Sequence, residues 1–373
     1  MKVMEARTPE EKLRALQEFL AAVPKHKGTA KLIAHVRRQM AMLRREIEER
    51  RRKRTRGFSP FAVKREGDVL VCLIGFANCG KSSILRRLTN AKPKVSPVPF
   101  STPLPVRGML IYKGVLIQLV EVPAIAVAGE KSSLAQQSLA IARNSDGMII
   151  VLDGKEDPIK QLYVIIKILE DARISVIRPE KWVEIRRTRE GGIRVIGELE
   201  GCTIDDVRKL LNSYKIYNAV IRVRGSATLD DIEEALYGDR IYKPTIIMVN
   251  KVESPQEEAK VSKLRNLIKN KLPLLAVSAL RGTGLDPNRL GELILKTLGL
   301  IRVYTKEPGL PPSEKPLVLP EGSRVIDVAA RIHSYLKENF KYAKVWSSTL
   351  PFSPQRVGPE FILHDGDIVE IHA

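Results

Sequence analysis

The stretch GFANCGKS, Gly75 to Ser82, concentrates more chemistry than any other run in the chain. It matches G-x-x-x-x-G-K-[ST], a loop that cradles phosphates between a buried strand and a helix N-terminus. Gly75 opens the loop, and Gly80 lets the backbone wrap a phosphate. Successive N–H groups then point inward and the helix end adds positive potential. Lys81 supplies charge to β- and γ-phosphates, Ser82 offers a hydroxyl to Mg²⁺, and Ser83 follows in the first helical turn. The apolar run VLVCLIGF before the loop and the helical pattern after it supply the required context, so the element reads as a nucleotide-binding P-loop. Cys79 has two readings: a thiol activated by Lys81 and the helix end, or simply a small residue that fits the loop.

A second motif addresses the base. Asn250, Lys251 and Glu253 form NKVE directly after the apolar run TIIMV. Asn-Lys-x-Asp is the guanine-reading pattern of GTPases, whose carboxylate accepts from guanine N1–H and N2–H₂. Here Glu253 replaces the Asp with a side chain one methylene longer. Ser278, Ala279 and Leu280 follow the next apolar run, where a backbone amide of the last GTPase motif meets the guanine oxygen. Guanine is the expected base; an ATPase remains the reading if Glu253 fails that task.

These loops need a sheet to hold them. Five apolar runs, Val69 to Phe76, Gly114 to Val122, Gly147 to Asp153, Thr245 to Asn250 and Leu274 to Ala279, read as buried strands separated by helical segments. The pattern predicts an α/β fold, a doubly wound, mostly parallel P-loop GTPase sheet. Residues 1–58 read as a basic helical hairpin, with Leu13, Leu16, Phe19 and Leu20 on one helix and Leu32, Ile33, Val36, Met40, Leu43 and Ile47 on the other. Residues 59–172 and 241–300 form the two parts of the GTPase domain. Between them, 173–240 reads as an inserted small α/β domain with capped helices starting at Thr203 and Thr228. Residues 301–373 suggest a β-grasp module with a helix from Ser323 to about Glu338 and returning strands at YAKVWSS and DIVEIHA. Trp182 and Trp346 are expected to be packing residues.

Composition narrows the partners. The 63 Lys and Arg against 43 Asp and Glu leave a net charge of +20, which points to a polyanion such as RNA. The densest block is Arg50, Arg51, Arg52, Lys53, Arg54 and Arg56; it reads either as a phosphate contact or as a solvated helix end. Arg186 to Arg189 form a second basic patch with the same two readings. Three cysteines without metal-ligand spacing and five scattered histidines suggest neither a disulfide scaffold nor a metal cluster. No apolar run reaches the ~18 residues of a membrane span, and the start of the chain has no signal-peptide pattern. A cytoplasmic protein with no membrane partner is expected.

Taken together, GFANCGKSSIL, PFSTPLPVRGMLIYKGVLIQLVEVPAI, YKIYNAVIRVRGSATLDDIEEAL, NKVE and HDGDIVEI make the chain similar to the developmentally regulated GTP-binding protein family, an Obg-related branch of translation-factor GTPases with a C-terminal TGS domain. It resembles a divergent, archaeal-type member. The resemblance implies binding of GTP and GDP, slow hydrolysis, Mg²⁺ as cofactor, and association with the ribosome or ribosomal RNA. A stabilising partner protein and the oligomeric state stay open.

Several positions depart from that family. Its switch II begins Asp-x-Pro-Gly, whereas this chain has Glu121, Val122, Pro123 and Ala124. Glu121 stands where the Asp would hold the Mg²⁺ shell, and Ala124 keeps the N–H of the Gly while its Cβ narrows the backbone. Ile125 follows, where Ras-like enzymes place a water-orienting Gln, but an apolar residue there is itself a habit of the Obg branch that the chain resembles. In switch I, FSTPLP replaces a Thr-rich run. Thr102 is the expected Mg²⁺ and γ-phosphate ligand and, with Lys81, the expected catalytic group; Ser101 is the runner-up. Asn78 stands where some P-loop GTPases hold K⁺ between the phosphates in place of an arginine finger, although an ordinary polar loop residue fits as well. Two functions follow: a slow GTPase switch on the ribosome, or a hydrolysis-poor, nucleotide-gated RNA-binding protein.

Overall fold

A computed structural model describes residues 63–91, 104–125, 133–178, 182–188, 192–237, 241–269 and 271–373, with scattered helical residues between Leu13 and Leu43. Thr102, Ser101, Arg189 and the basic block Arg50–Arg56 lie outside the described residues. The chain divides into two compact units, Val63–Arg178 with Ile241–Ala373, and Met1–Ala62 with Pro179–Arg240.

The first unit begins with β1 (Val69–Ile74), whose six residues are all buried. Such a strand needs cover on both faces, and alternate residues supply it: Val69, Val71 and Leu73 join one core cluster, and Leu70, Cys72 and Ile74 the other. Helix α1 (Lys81–Leu88) follows the P-loop, burying Ile84, Leu85 and Leu88 and ending on Arg86 and Arg87, which complement its dipole. Strands β2 (Val106–Tyr112) and β3 (Val115–Glu121) form a hairpin whose two turn residues, Lys113 and Gly114, both have positive φ, as a tight primed turn requires. Then come α2 (Ser133–Asn144), β4 (Gly147–Asp153) and α3 (Pro158–Asp171). The carboxylate of Asp157 caps α3 by accepting from Ile159 and Lys160 N–H, with Pro158 at the first helical position.

The short strand β5 (Ile174–Ser175) leads to the second unit. There, β6 (Trp182–Arg187), β7 (Ile193–Leu199) and β8 (Ala219–Ala227) make a sheet in the order β6-β8-β7, with α4 (Ile204–Ser213) and α5 (Leu229–Tyr237). Both helices start as their capping residues predict: Thr203 exchanges bonds with Asp206, and Thr228 with Asp231. Val207, Leu211 and Ile232 pack on Ile193, Ala219 and Ile221. Within this unit Arg37 of the N-terminal segment pairs with Glu233 at 2.5 Å, and Tyr214 donates to the same carboxylate. Trp182 corrects its expected packing role, because on its edge strand the residue is 37% exposed.

Strand β9 (Ile241–Tyr242) pairs in parallel with β5, bringing entry and exit of the inserted segment side by side. The main sheet resumes with β10 (Thr245–Asn250), α6 (Pro255–Ile268), β11 (Leu274–Ala276) and α7 (Pro287–Leu298). Its order is β11-β10-β4-β1-β3-β2, with only β2 antiparallel to its neighbour. Residues of α1 and α7 cover one face and residues of α2, α3 and α6 the other. This is the doubly wound arrangement that the apolar runs imply.

The C-terminal module has β12 (Leu300–Thr305), β13 (Leu317–Pro320), α8 (Val325–Ile332), α9 (Ser334–Glu338), β14 (Tyr342–Trp346), β15 (Gln355–Val357) and β16 (Asp367–His372). Its five-stranded sheet runs β13-β12-β16-β14-β15, with Val325 and Val328 of α8 in its core. The single helix expected from Ser323 to Glu338 is two. His333 is extended between them, and its imidazole Nδ1 accepts from Tyr335 N–H, starting a new helix instead of continuing the old one. Strand β15 is a further addition, held only by an edge pairing to β14. Among the described residues no helix is long and apolar enough to cross a membrane.

Candidate nucleotide-binding site

The first shared feature of the site is that its loops all leave the same edge of the parallel sheet, following β1, β3, β4, β10 and β11. The P-loop follows β1. A Cβ on Gly75 would lie 2.4 Å from the Val151 carbonyl oxygen, so the loop crosses β4 too closely for a side chain. Gly80 has φ of 90° and caps α1 in the left-handed region. Asn78 also has positive φ, 61°, a conformation that Asn tolerates better than most residues. Lys81 is buried, and its ammonium donates to the carbonyls of Gly75 at 3.0 Å and Phe76 at 2.8 Å. Ser83 is half-buried in the first turn of α1.

Cys79 settles on one of its two readings. Burial pushes its thiol pKa up, against the opposing pull of Lys81 3.9 Å away. Of the two readings, the small, buried loop residue is the one that fits.

The end of β3 brings Glu121 to the P-loop. Ser82 Oγ donates to Glu121 Oε1 at 2.5 Å. The other oxygen, Oε2, is buried without a hydrogen-bond partner. Burial raises the pKa of this carboxyl, partly countered by the Ser82 bond and by Lys81. Beyond it the chain stays tied to the core: Val122 N–H donates to Leu73 O, and Ile125 N–H to Gly75 O, both at 3.2 Å. Pro123 O accepts from Ser138 Oγ at 3.0 Å, and Ala124 is half-buried. Ile125 is 2% exposed, packed in the core on the α2 and α3 side, so its side chain presents nothing polar to a phosphate.

The base motifs converge on Asn250. Its buried amide donates through Nδ2 to Cys79 O at 3.0 Å and accepts through Oδ1 from Ala279 N–H at 2.9 Å. One side chain therefore ties the P-loop to both sequence-distant base loops. Lys251 has φ of 63° and its ammonium pairs with Asp153 at 2.5 Å. Glu253 accepts from Ser278 Oγ at 3.0 Å. Leu280 is 81% exposed.

Three basic residues at the site escaped sequence reasoning. Lys155 lies 3.6 Å from Glu253 Oε2, Arg281 donates to the Glu253 carbonyl at 3.0 Å, and Lys260 donates to the carbonyls of Gly154, Lys155 and Glu156. Only the placement of Lys155 just after the strand GMIIVLD hinted at it. Among the described residues no three His, Cys, Asp or Glu side chains gather as a metal cluster.

Comparison with known proteins agrees with this arrangement along the whole chain. Residues 70–178 match the family described as 50S ribosome-binding GTPase, 190–300 match the C-terminal region of the same domain, and 301–373 match the TGS domain. An uncharacterised GTP-binding protein of Methanocaldococcus jannaschii is 33% identical, with 97% of this chain and 92% of that protein covered. Developmentally-regulated G-protein 3 of Arabidopsis thaliana is 33% identical over 97% of this chain and 98% of its own. Developmentally-regulated GTP-binding protein 1 of Xenopus laevis is 31% identical over 96% and 98%. With a P-loop, a guanine-type loop pair and a terminal TGS domain aligned end to end with such relatives, the chain belongs to the developmentally regulated, Obg-related family of GTP-binding proteins.

Proposed function

We propose that the chain is a slow GTPase whose GTP-bound form associates with the ribosome. The observation that carries hydrolysis is the pair Ser82–Glu121, a hydroxyl and a carboxylate 2.5 Å apart beside the buried Lys81. The buried, unpartnered Glu121 Oε2 is an orphaned acceptor of the hard, anionic kind that Mg²⁺ takes. Ser82 and Glu121 would hold the ion, Glu121 directly or through water, and Mg²⁺ there neutralises charge on the β- and γ-phosphates. Glu for Asp is thus compatible with the cofactor, since the longer side chain still reaches the Ser82 hydroxyl. Lys81 contributes positive charge to the same phosphates. Asn250, Lys251, Glu253 and the Ser278–Leu280 loop read guanine, and Thr102 completes the ion's ligands from switch I. Asn78 is the position from which K⁺ would be held.

The ribosomal partner rests on the net charge of +20 and on the family description of the matched domain as ribosome-binding. Arg50, Arg51, Arg52, Lys53, Arg54 and Arg56 are the proposed RNA contacts. A second reading, a nucleotide-gated RNA-binding protein that hardly hydrolyses, is favoured by Glu121 and Ala124 in place of the Asp and Gly of switch II and by Pro103 and Pro105 in switch I.

Nucleotide binding and phosphate release separate the two, measured with GTP and ATP, in K⁺ and in Na⁺, with and without ribosomes. Guanine-selective binding with turnover stimulated by ribosomes or K⁺ is expected. Tight guanine binding without turnover in every condition makes the second reading correct. Lys81→Ala should abolish nucleotide binding and ribosome association together; association that survives it rules out a nucleotide-controlled switch.

A further inference from the structure

The sheet of the inserted segment has two unlike faces. Through the registers β6–β8 and β7–β8, one face carries Val183, Ile185, Ile193, Val195, Ile221 and Val223, which pack with α4 and α5. On the opposite face the alternation places Trp182 beside Arg224, Ile196 beside Arg222, and Arg194 beside Val220. Arg194, Arg222 and Arg224 are exposed, Ile196 is 55% exposed, and Trp182 stands open at the edge. Arg186 holds the register position across from Val220. The acidic positions of this face are Glu184, across from Arg222, and Glu198, beyond the point where the β7–β8 register shifts because β8 carries the extra residues; past the end of β7, Glu200 accepts from Ser226 Oγ. Cations therefore outnumber acids, and an aromatic ring and an aliphatic side chain lie among them. At the start of β7, around the sheet edge toward α4, Arg194 also borders an open depression of about 460 Å³ lined by Arg208 and Asn212 of α4 and by Tyr217, which is 64% exposed.

A sheet face left open with Trp and Ile would be a liability in a surface kept only for solubility. Arginines alternating with an exposed aromatic are instead what an unpaired nucleic acid strand requires. Successive bases stack on π-faces, and guanidinium groups two residues apart along a strand, roughly 6–7 Å, meet the backbone phosphates. A duplex offers no unstacked bases to Trp182. An acidic protein would pair with the arginines but would have little use for the ring.

We propose that this face, Trp182 with Arg194, Arg222 and Arg224, binds single-stranded RNA, with the depression beside Tyr217 receiving a splayed base. The site deepens the ribosomal reading, on which it rests for the expectation of an RNA partner, but it requires no nucleotide at the P-loop.

The test uses the full chain carrying Trp346→Phe, so that Trp182 is the sole tryptophan. Its fluorescence is followed while a mixed-sequence single-stranded RNA 20-mer, the matching duplex, or poly-glutamate is added. Quenching by the single strand is expected, with at least tenfold weaker binding of the duplex and of poly-glutamate. Arg222→Ala with Arg224→Ala should weaken single-strand binding tenfold or more, whereas Lys at both positions should restore most of it. Trp182→Ala, read by anisotropy of a labelled RNA, should weaken binding without changing its salt dependence. RNA that binds without quenching Trp182 and with equal affinity to the double Ala variant overturns the proposal. Equal quenching and affinity with poly-glutamate overturns it in favour of an acidic protein. Ribosome co-sedimentation separates the two readings. Association undiminished in the double Ala variant rejects this face while the ribosomal reading stands. Oligonucleotide binding at this face without any ribosome association rejects the ribosomal reading alone.

Discussion

Glu121 shows how one residue can be both a cost and a functional group. Its carboxyl is buried beside Ser82, and burial holds its pKa above the ordinary 4.5. The folded state therefore binds a proton more tightly than the unfolded chain, so stability from this group falls as pH rises through the interval between the two values. Glu121→Gln should raise the melting temperature of the Mg²⁺-free protein at pH 7. The advantage over wild type should shrink as pH drops toward 4.5, as thermal unfolding at several pH values would record. With Mg²⁺, the same variant should bind GTP at least ~10-fold more weakly, about 1.4 kcal/mol, because the anionic acceptor is gone. Gly80 sets a second limit. Its φ of 90° strains any other residue, by roughly 1–2 kcal/mol, and an added Cβ would lie 2.2 Å from Asn250 Nδ2. Gly80→Ala should displace Asn250, break the tie between P-loop and base loops, and cost more than ~10-fold in GTP affinity. A fluorescent GTP titration that finds wild-type affinity would refute this coupling.

At the scale of elements, the β-grasp sheet is held by charge as well as by its core. Arg302 bonds Asp365 through Nε at 3.0 Å and Nη2 at 2.6 Å, and its backbone N–H reaches the same carboxylate. On β16, Glu370 meets Lys306 at 2.9 Å, His372 at 2.8 Å and Lys344 at 3.4 Å. The Lys306 bond chiefly, with His372 and Lys344, pulls its pKa down to about 2. A depressed carboxylate pKa contributes stability above its unfolded value that is lost as pH falls through the folded one. Glu370→Gln should therefore cost the module about 1.5–3 kcal/mol at pH 7, the range for hydrogen bonds to a charged group. The difference from wild type should vanish between pH 4.5 and about 2. Trp346, whose ring lies 5.0 Å from the Lys306 ammonium, reports it in a Trp182→Phe background. An unchanged gap at acid pH would mean that Glu370 is not the titrating group. The same scale explains two differences from expectation. His333 interrupts an otherwise apolar helical pattern by capping the next turn with its own ring, and β15 is a three-residue edge strand too short to show a period.

For the molecule as a whole, the dominant long-range property is the charge of +20. Each phosphate neutralised releases counterions, so RNA affinity should fall linearly on a log–log plot against salt. Replacing Arg50, Arg51, Arg52 and Arg54 by Ala should reduce that slope by about 3, at ~0.7–0.9 for each phosphate no longer neutralised. An unchanged slope assigns RNA binding to other parts of the chain.

The strands of the main sheet, the P-loop and the Asn250–Glu253 motif were legible in the sequence because each depends on local physics. A strand buried on both faces must be apolar at every position, and a loop that wraps phosphate needs Gly80 followed by Lys81. The capped helices at Thr203 and Thr228 belong to the same class, since a cap and its acidic partner stand three residues apart. What sequence spacing does not carry is which distant groups meet. Asn250 joins Cys79 to Ala279 across 171 residues on one side and 29 on the other. Lys155 reaches Glu253, and Glu121 keeps one buried oxygen unpaired. The two readings of Cys79 differ only in burial, and the ring of Trp182 is exposed only because α4 and α5 cover the other face of its sheet. Such pairings and exposures depend on strand order and register, and these emerge only when the chain packs.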